Sequence, residues 1–226
     1  MARAVGLEHH SGRCTAEPER GCPLCPRLSE FLAGFQRSEP AWFNGPVPSF
    51  GDDAARVRVL IVGLAPGLNG ANRTGRPFTG DHAGVLLYST LLRFGFAKGS
   101  YDARPDDTLK LVGCMITNAV RCVPPANKPT TSEIATCRQF LTARINSLPK
   151  LEAIVALGRI AHDSTVTALG FKKSMHPFGH GIVHQLRAGL RLFDSYHCSR
   201  YNTNTGVLTP AMFDAVFASV RAGIDP

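Results

Sequence analysis

Four short apolar runs rich in β-branched residues, separated by segments of helical periodicity, constrain the fold of this chain more than any other feature. The runs are Val57–Leu64, Leu111–Thr117, Glu152–Leu157 and Leu190–Tyr196, each short enough to be a buried strand. Between them, His82–Phe94 carries apolar residues at helical spacing. Thr130-Thr-Ser-Glu133 has the capping-box pattern of a helix that runs to Asn146, and Arg159–Leu169 follows the same logic. Thr209-Pro210 supplies an N-cap and a first-turn proline for a last helix closing near Gly223. Strand-helix alternation implies parallel pairing through right-handed crossovers, with helices on both faces. The expected fold is α/β, a three-layer α/β/α arrangement around a central four-stranded, mainly parallel sheet.

The chain has 226 residues, 44% of them hydrophobic, enough to bury one substantial core. A single domain over 1–226 is expected, with a flexible N-terminal segment over 1–20 and a Pro- and Gly-containing stretch from Pro40 to Gly51. There is no internal repeat. Lys+Arg number 25 against 17 Asp+Glu, a formal charge of +8 that favours a polyanionic partner without requiring one. Met1–His10 lacks the apolar stretch of a signal peptide and no segment approaches the ~20 apolar residues of a membrane span. A cytoplasmic monomer with no membrane partner is expected.

In parallel sheets, ligands bind beyond the carboxyl ends of the strands, and the loops leaving those ends here are unusual. After the first run come Gly63-Leu-Ala-Pro-Gly67 and Gly70-Ala-Asn-Arg-Thr-Gly-Arg-Pro-Phe-Thr-Gly-Asp81, a long polar loop of the kind kept for function. After the second comes Asn118-Ala-Val-Arg-Cys122, continuing to Pro129, and after the last comes Ser195–Thr209, rich in hydroxyls and amides. All three converge on one edge.

Seven cysteines in a reducing compartment point to metal or catalysis where their spacing clusters. Cys22-Pro-Leu-Cys25 is a CxxC pair, and Cys122 and Cys137 add two thiols. Four soft ligands suit zinc or an iron-sulfur cluster, and ligand type alone does not choose between them. Buried, unliganded thiols are the bland reading; Cys14 and Cys198 compete as ligands, and Cys114 reads as a core residue within a strand.

The ordered set Gly63–Gly67, Asn72–Asp81, Asn118–Cys122, Tyr196-His-Cys-Ser199 and Asn202-Thr-Asn-Thr-Gly206 resembles the uracil-DNA glycosylase superfamily, above all its type B or family-five branch. The likeness runs from Cys22 to the C-terminus. It implies a [4Fe-4S] cluster on Cys22, Cys25, Cys122 and Cys137. It also implies a partner, DNA containing uracil or other deaminated bases such as hypoxanthine and xanthine. Two features stand out. Ala65 occupies the first-motif position where other branches place a water-activating Asp, Asn or Glu. Cys198 replaces the proline of the family's His-Pro-Ser pattern, which sets the expectation of an exposed thiol in a less rigid loop.

A base inside a duplex must be extruded before chemistry on it, which favours mispaired bases. In the roles the resemblance implies, Phe78 stacks on that base and Asn118 bonds its edge, within a wall of Gly63, Ala65, Pro66 and Gly67. The bland alternatives are core packing for Phe78 and a strand-end turn for Asn118. Cleavage builds positive charge on the sugar and negative charge on the departing base. His197 is therefore the expected donor to the base oxygen, and Asp81 the expected carboxylate that orients water, with a helix N-cap as its competing role. Ser199, Arg200 and Tyr201 lie where the family inserts a loop into the DNA groove, and Arg73, Arg76 and Lys128 are candidate phosphate contacts. The expected activity is a monofunctional glycosylase, hydrolysing the N-glycosidic bond to leave an abasic site in base excision repair. The competing class is a non-catalytic, metal-cluster nucleic-acid-binding protein. A nucleotide-binding α/β enzyme is disfavoured because neither GxGxxG nor GxxxxGK[ST] follows the first strand.

Overall fold

The computed structural model describes residues 15–224. In chain order its elements are α1 (Pro26–Ser38), β1 (Phe50–Gly51), β2 (Val59–Gly63), α2 (Ala71–Thr74), α3 (His82–Arg93), β3 (Ala97–Lys98), β4 (Lys110–Leu111), β5 (Cys114–Asn118), α4 (Thr131–Asn146), β6 (Ala153–Leu157), α5 (Arg159–Ala168), β7 (Val183–Arg187), β8 (Leu190–Ser195), α6 (Arg200–Asn204) and α7 (Pro210–Ile224). The main sheet has six strands in the order β1-β5-β2-β6-β8-β7. Its centre, β5-β2-β6-β8, is the expected parallel set.

The four-strand expectation is corrected by the two edges, both antiparallel. β1 is two residues long, and β7 buries only alternate side chains, His184 and Leu186, leaving Val183, Gln185 and Arg187 exposed. Neither has the continuous apolar run by which a doubly covered strand is recognised. The run Leu111–Thr117 also divides: Gly113 takes the left-handed φ of +59°, so Lys110–Leu111 pairs with β3 in a separate two-stranded sheet while Cys114 onward joins the main one.

Alternation along the central strands distributes the core to two faces. Val59, Ile61, Ile116, Val155 and Phe193 pack against Leu87 and Leu91 of α3 and Phe213, Phe217 and Val220 of α7. Their neighbours Leu60, Val62, Ile154, Ala156 and Leu192 meet Leu141 and Ile145 of α4 and Ala161 and Val166 of α5. Full burial of each such side chain contributes roughly 1.5–3 kcal/mol, which fixes the register and with it the strand ends. At α4 both halves of the capping box form, Glu133 N–H donating to Thr130 Oγ1 at 3.2 Å and Thr130 N–H to Glu133 Oε2 at 2.7 Å. Of the N-terminal segment expected to be flexible, residues 1–14 lie outside the described residues. Within the remainder, Glu17 is tied by ion pairs to Arg121 and Arg144.

Candidate active site

The carboxyl ends of β2, β5 and β8 open into one cavity of about 650 Å³, lined by Ala65, Pro66, Gly67, Phe78, Asp81, Asn118 and His197 among others. That is the size of a small-molecule site. Parallel pairing sets Gly63 opposite Asn118 at the last rung of the β2–β5 ladder. The absence of a side chain at Gly63 is what lets the site close: a Cβ there would lie 2.4 Å from Asn118 Oδ1 and 2.7 Å from Phe78 Cζ. Asn118 is buried, and its Oδ1 has no hydrogen-bond partner among the described residues. A buried, unsatisfied amide oxygen is costly unless a ligand meets it. Phe78 takes φ +54°, a left-handed conformation that bulky residues avoid. Its carbonyl accepts from Tyr101 Oη at 3.1 Å and the preceding carbonyl, of Pro77, from Tyr88 Oη at 2.6 Å. The expected core role of Phe78 and its pocket role coexist, since the ring is largely buried and also forms the cavity wall.

His197 follows β8, with its ring 6.0 Å from that of Phe78 at an interplanar angle of 29°. Its carbonyl accepts from Asn202 Nδ2 at 2.8 Å, which gives a structural reason for the amide in the Asn202–Gly206 motif. Burial pushes the His197 pKa down to about 4, so the imidazole is neutral at pH 7. Asp81 is the N-cap of α3, accepting from Gly84 N–H at 3.2 Å, so the helix-cap reading of this residue holds while its carboxylate also lines the cavity. Burial raises its pKa, opposed by the backbone N–H groups of Gly84 and Ala83 and by His82.

Several expected contacts sit elsewhere. Arg76 is buried, its guanidinium forming a two-pronged ion pair with Asp107 at 2.7 Å and lying over the Phe50 ring at 5.1 Å. A phosphate contact is therefore closed to it. Cys198 is fully buried in the α3–α7 core, which overturns the expected exposed thiol; burial pushes its pKa up and removes it from solvent chemistry. Ser199, Arg200 and Tyr201 form the start of α6, with Ser199 as N-cap accepting from Asn202 N–H at 3.4 Å and Tyr201 74% exposed. Arg73 and Lys128 are exposed. Sequence reasoning missed Asn69 and Asn127, which also line the cavity. Asn127, at φ +56°, lies in the proline-rich loop after β5, where only that clustering of turn-forming residues marked the segment.

Cys22, Cys25, Cys122 and Cys137 surround one small cavity, walled by Leu28, Val120 and Phe140. Burial pushes Cys122 up to about 12 and Cys137 up to about 11, each helped by neighbouring thiols. Four convergent soft donors in an apolar shell fit a thiolate-ligated centre, whose positive metal ions would relieve that crowding. Arg121 N–H donates to Cys137 Sγ at 3.3 Å, and the Arg27–Glu133 pair at 2.7 Å fastens α1, whose N-cap is Cys25, onto α4. A separate buried group, His162, His184 and Asp194, brings its ligand atoms within 4.8 Å of one another. There His162 contacts two acceptors, Asp194 Oδ1 at 2.7 Å and the His176 carbonyl at 2.8 Å, so the donors are engaged in a hydrogen-bond network.

An α/β sheet with motif residues from three strand ends in one pocket, beside a four-thiol centre, defines a protein class, and sequence comparison agrees. The profile of the uracil DNA glycosylase superfamily matches residues 48–221, and the chain belongs to that family. It is 47% identical over 206 residues to a type-5 uracil-DNA glycosylase of Thermus thermophilus, spanning 88% of this chain and 92% of the relative. It is 42% identical over 215 residues to a type-5 enzyme of Mycobacterium tuberculosis (90% and 79%). For a type-5 enzyme of Pyrobaculum aerophilum the identity is 38% over 192 residues (83% and 82%). Among the described residues, no helix is long and apolar enough to cross a membrane.

Proposed function

We propose that this protein is a monofunctional uracil-DNA glycosylase that also accepts other deaminated bases, hypoxanthine and xanthine included. The observation that carries the reading is the convergence of Phe78, Asn118, His197 and Asp81, distant in sequence, on one cavity. The extruded base lies against the Phe78 ring, and the unpartnered Asn118 amide reads its edge. As the C1′–N bond breaks, its electron pair leaves with the base. The neutral His197 ring donates a hydrogen bond to the base oxygen where charge accumulates. The Asp81 carboxylate faces the sugar, favours its developing positive charge and orients the water whose oxygen joins C1′, one proton of that water ending on the departed base. The products are the free base and an abasic site. Ala65 offers the pocket a methyl group where a polar side chain would select more narrowly, which supports breadth of substrate.

Cys22, Cys25, Cys122 and Cys137 would hold a [4Fe-4S] cluster, which supplies cross-links among the α1 start, the β5 loop and α4. Exposed Arg73 and Lys128, with Ser199, Arg200 and Tyr201 at the start of α6, are assigned to the DNA backbone and groove. The test is incubation with an oligonucleotide containing one uracil, followed by alkali: strand scission at that position is expected. DNA binding without an abasic product would refute the enzyme in favour of a non-catalytic binder.

A further inference from the structure

A second cavity, of about 610 Å³, opens beside the pocket and is lined by Arg20, Trp42, Phe43, Arg73, Thr74 and Arg104 with two prolines and two alanines. The helix α2 is the partition. Arg73, on the cleft side, lies against Gly80, where a Cβ would stand 3.1 Å from Arg73 Nη2, and Gly80 lines the base pocket. The aromatic segment is pinned to the same partition: Phe43 N–H donates to the Arg73 carbonyl and Asn44 N–H to the Asn72 carbonyl, both at 3.0 Å. Asn72 Nδ2 donates to Asn44 Oδ1 at 2.9 Å. Cleft and pocket are thus held in one register by hydrogen bonds across α2.

Its chemistry is specific. Arg20 lies over the Phe43 ring at 4.8 Å and donates to the Phe43 carbonyl at 2.9 Å, so its cation is fixed without a carboxylate. Arg73 Nε donates to the Asn69 carbonyl at 3.0 Å, and among the described residues neither arginine forms an ion pair. Arg104 is exposed, with only a 3.6 Å contact to Asp106. Trp42 is held parallel to Phe35, with centroids 6.2 Å apart and planes 2° apart. A held indole beside three arginines offers a stacking surface and phosphate partners, the pairing by which single-stranded nucleic acid is bound without sequence preference.

We propose that this cleft is a second nucleotide subsite, taking an unstacked base and its phosphate from the same DNA strand that delivers the extruded base. The inference rests on the reading of the neighbouring pocket as the extruded-base site. Unpaired nucleotides beside the lesion then add binding, so single-stranded and bubble substrates bind more tightly than fully paired ones. Stacking on one aromatic side chain is worth roughly 1–3 kcal/mol per base, equivalent to about 5- to 150-fold in affinity.

Trp42 is the chain's only tryptophan, so its emission reports on this cleft alone. The protein is titrated with a dye-labelled, uracil-free single-stranded oligonucleotide; anisotropy of the dye reports binding anywhere, and tryptophan emission reports the cleft. The expected result is a change in Trp42 emission at the anisotropy midpoint, a midpoint that rises with salt, and no matching change with inorganic phosphate alone. Trp42→Ala and, independently, Arg104→Ala are each expected to weaken binding at least fivefold. Binding with silent Trp42 emission, equal quenching by phosphate, or no binding of undamaged strand would each overturn the subsite. Uracil excision with a silent Trp42 would sink this proposal alone, whereas loss of excision with the Trp42 response intact would sink the glycosylase reading.

Discussion

Gly63→Ala isolates the geometry on which the pocket rests. The added methyl would meet Asn118 Oδ1 at 2.4 Å and Phe78 Cζ and Cε2 at 2.7 and 2.8 Å, where ordinary contact begins near 3.4 Å. Restoring contact distance takes about 1 Å of amide movement. The ring yields little, because Tyr101 and Tyr88 hold the Phe78 and Pro77 carbonyls. Overpacking of this kind destabilises by roughly 1–3 kcal/mol, a fall in Tm of roughly 2–12 °C for a chain of this size. A 1 Å misplacement of a reacting group costs about 100-fold in rate, equivalent to about 2.7 kcal/mol. Single-turnover excision from a uracil oligonucleotide, measured beside thermal unfolding, separates the two effects. Gly34→Ala in α1 is the control, since a Cβ there meets nothing within 4 Å, and its rate should match the wild type. Adding Asn118→Ala should cost less in the Gly63→Ala background than in the wild type, because the amide is already displaced. A folded Gly63→Ala protein excising uracil at the wild-type rate would refute the claim that Asn118 and Phe78 act from these positions.

Asp81→Asn keeps an equivalent N-cap while removing the charge, so α3 should retain its stability and excision should fall at least tenfold; an unchanged single-turnover rate would leave Asp81 only its capping role. His197→Ala removes the donor and should slow single-turnover excision by roughly 100- to 1,000-fold with DNA affinity, read by anisotropy, nearly unchanged. With its folded pKa near 4, His197 stays neutral while the unfolded chain takes up a proton below about pH 6.5. The unfolded state therefore binds more protons between those values, and stability falls as pH drops from 6.5 to 4. Denaturant unfolding across that window should show a shallower decline in His197→Ala. Cys25→Ser is expected to lose iron and soluble folded protein; a colourless, stable variant with full activity would refute the cysteine assignment.

The parallel centre of the sheet and the caps of α3 and α4 were legible because each follows from local chemistry: continuous apolar runs, Asp81 before a helical repeat, and Thr130 three residues ahead of Glu133. The edges were not, since β1 is too short to carry a pattern and the alternating β7 takes its place from pairing with β8. The positions of Arg76 and Cys198 were hidden for a related reason. An arginine in a polar loop reads as solvated until Asp107, 31 residues away, is seen beneath it. A cysteine after a histidine in a polar loop reads as exposed until α3 and α7 are seen to close over it. Local motifs identified the pocket residues, while long-range partners decided which neighbouring groups face it.

The same contrast explains why a thiol centre sits beside this pocket. Ala65 and Leu68 line the base cavity on one side and pack against the cysteine cluster's apolar shell on the other. Asn118 and Cys122 are separated by three residues of one buried segment, which couples the cysteine loop to the amide at the pocket. Residue 65 meets two demands here, space toward the cavity and apolar contact toward the cysteine cluster, and alanine satisfies both. A polar side chain at this position would reach into the pocket only by growing from a wall that also packs against the apolar shell of the cysteines. On the proposed reading, the thiol centre supports the pocket by holding this wall in place. Loss of the thiol centre should therefore weaken base recognition along with the fold, as Cys25→Ser tests.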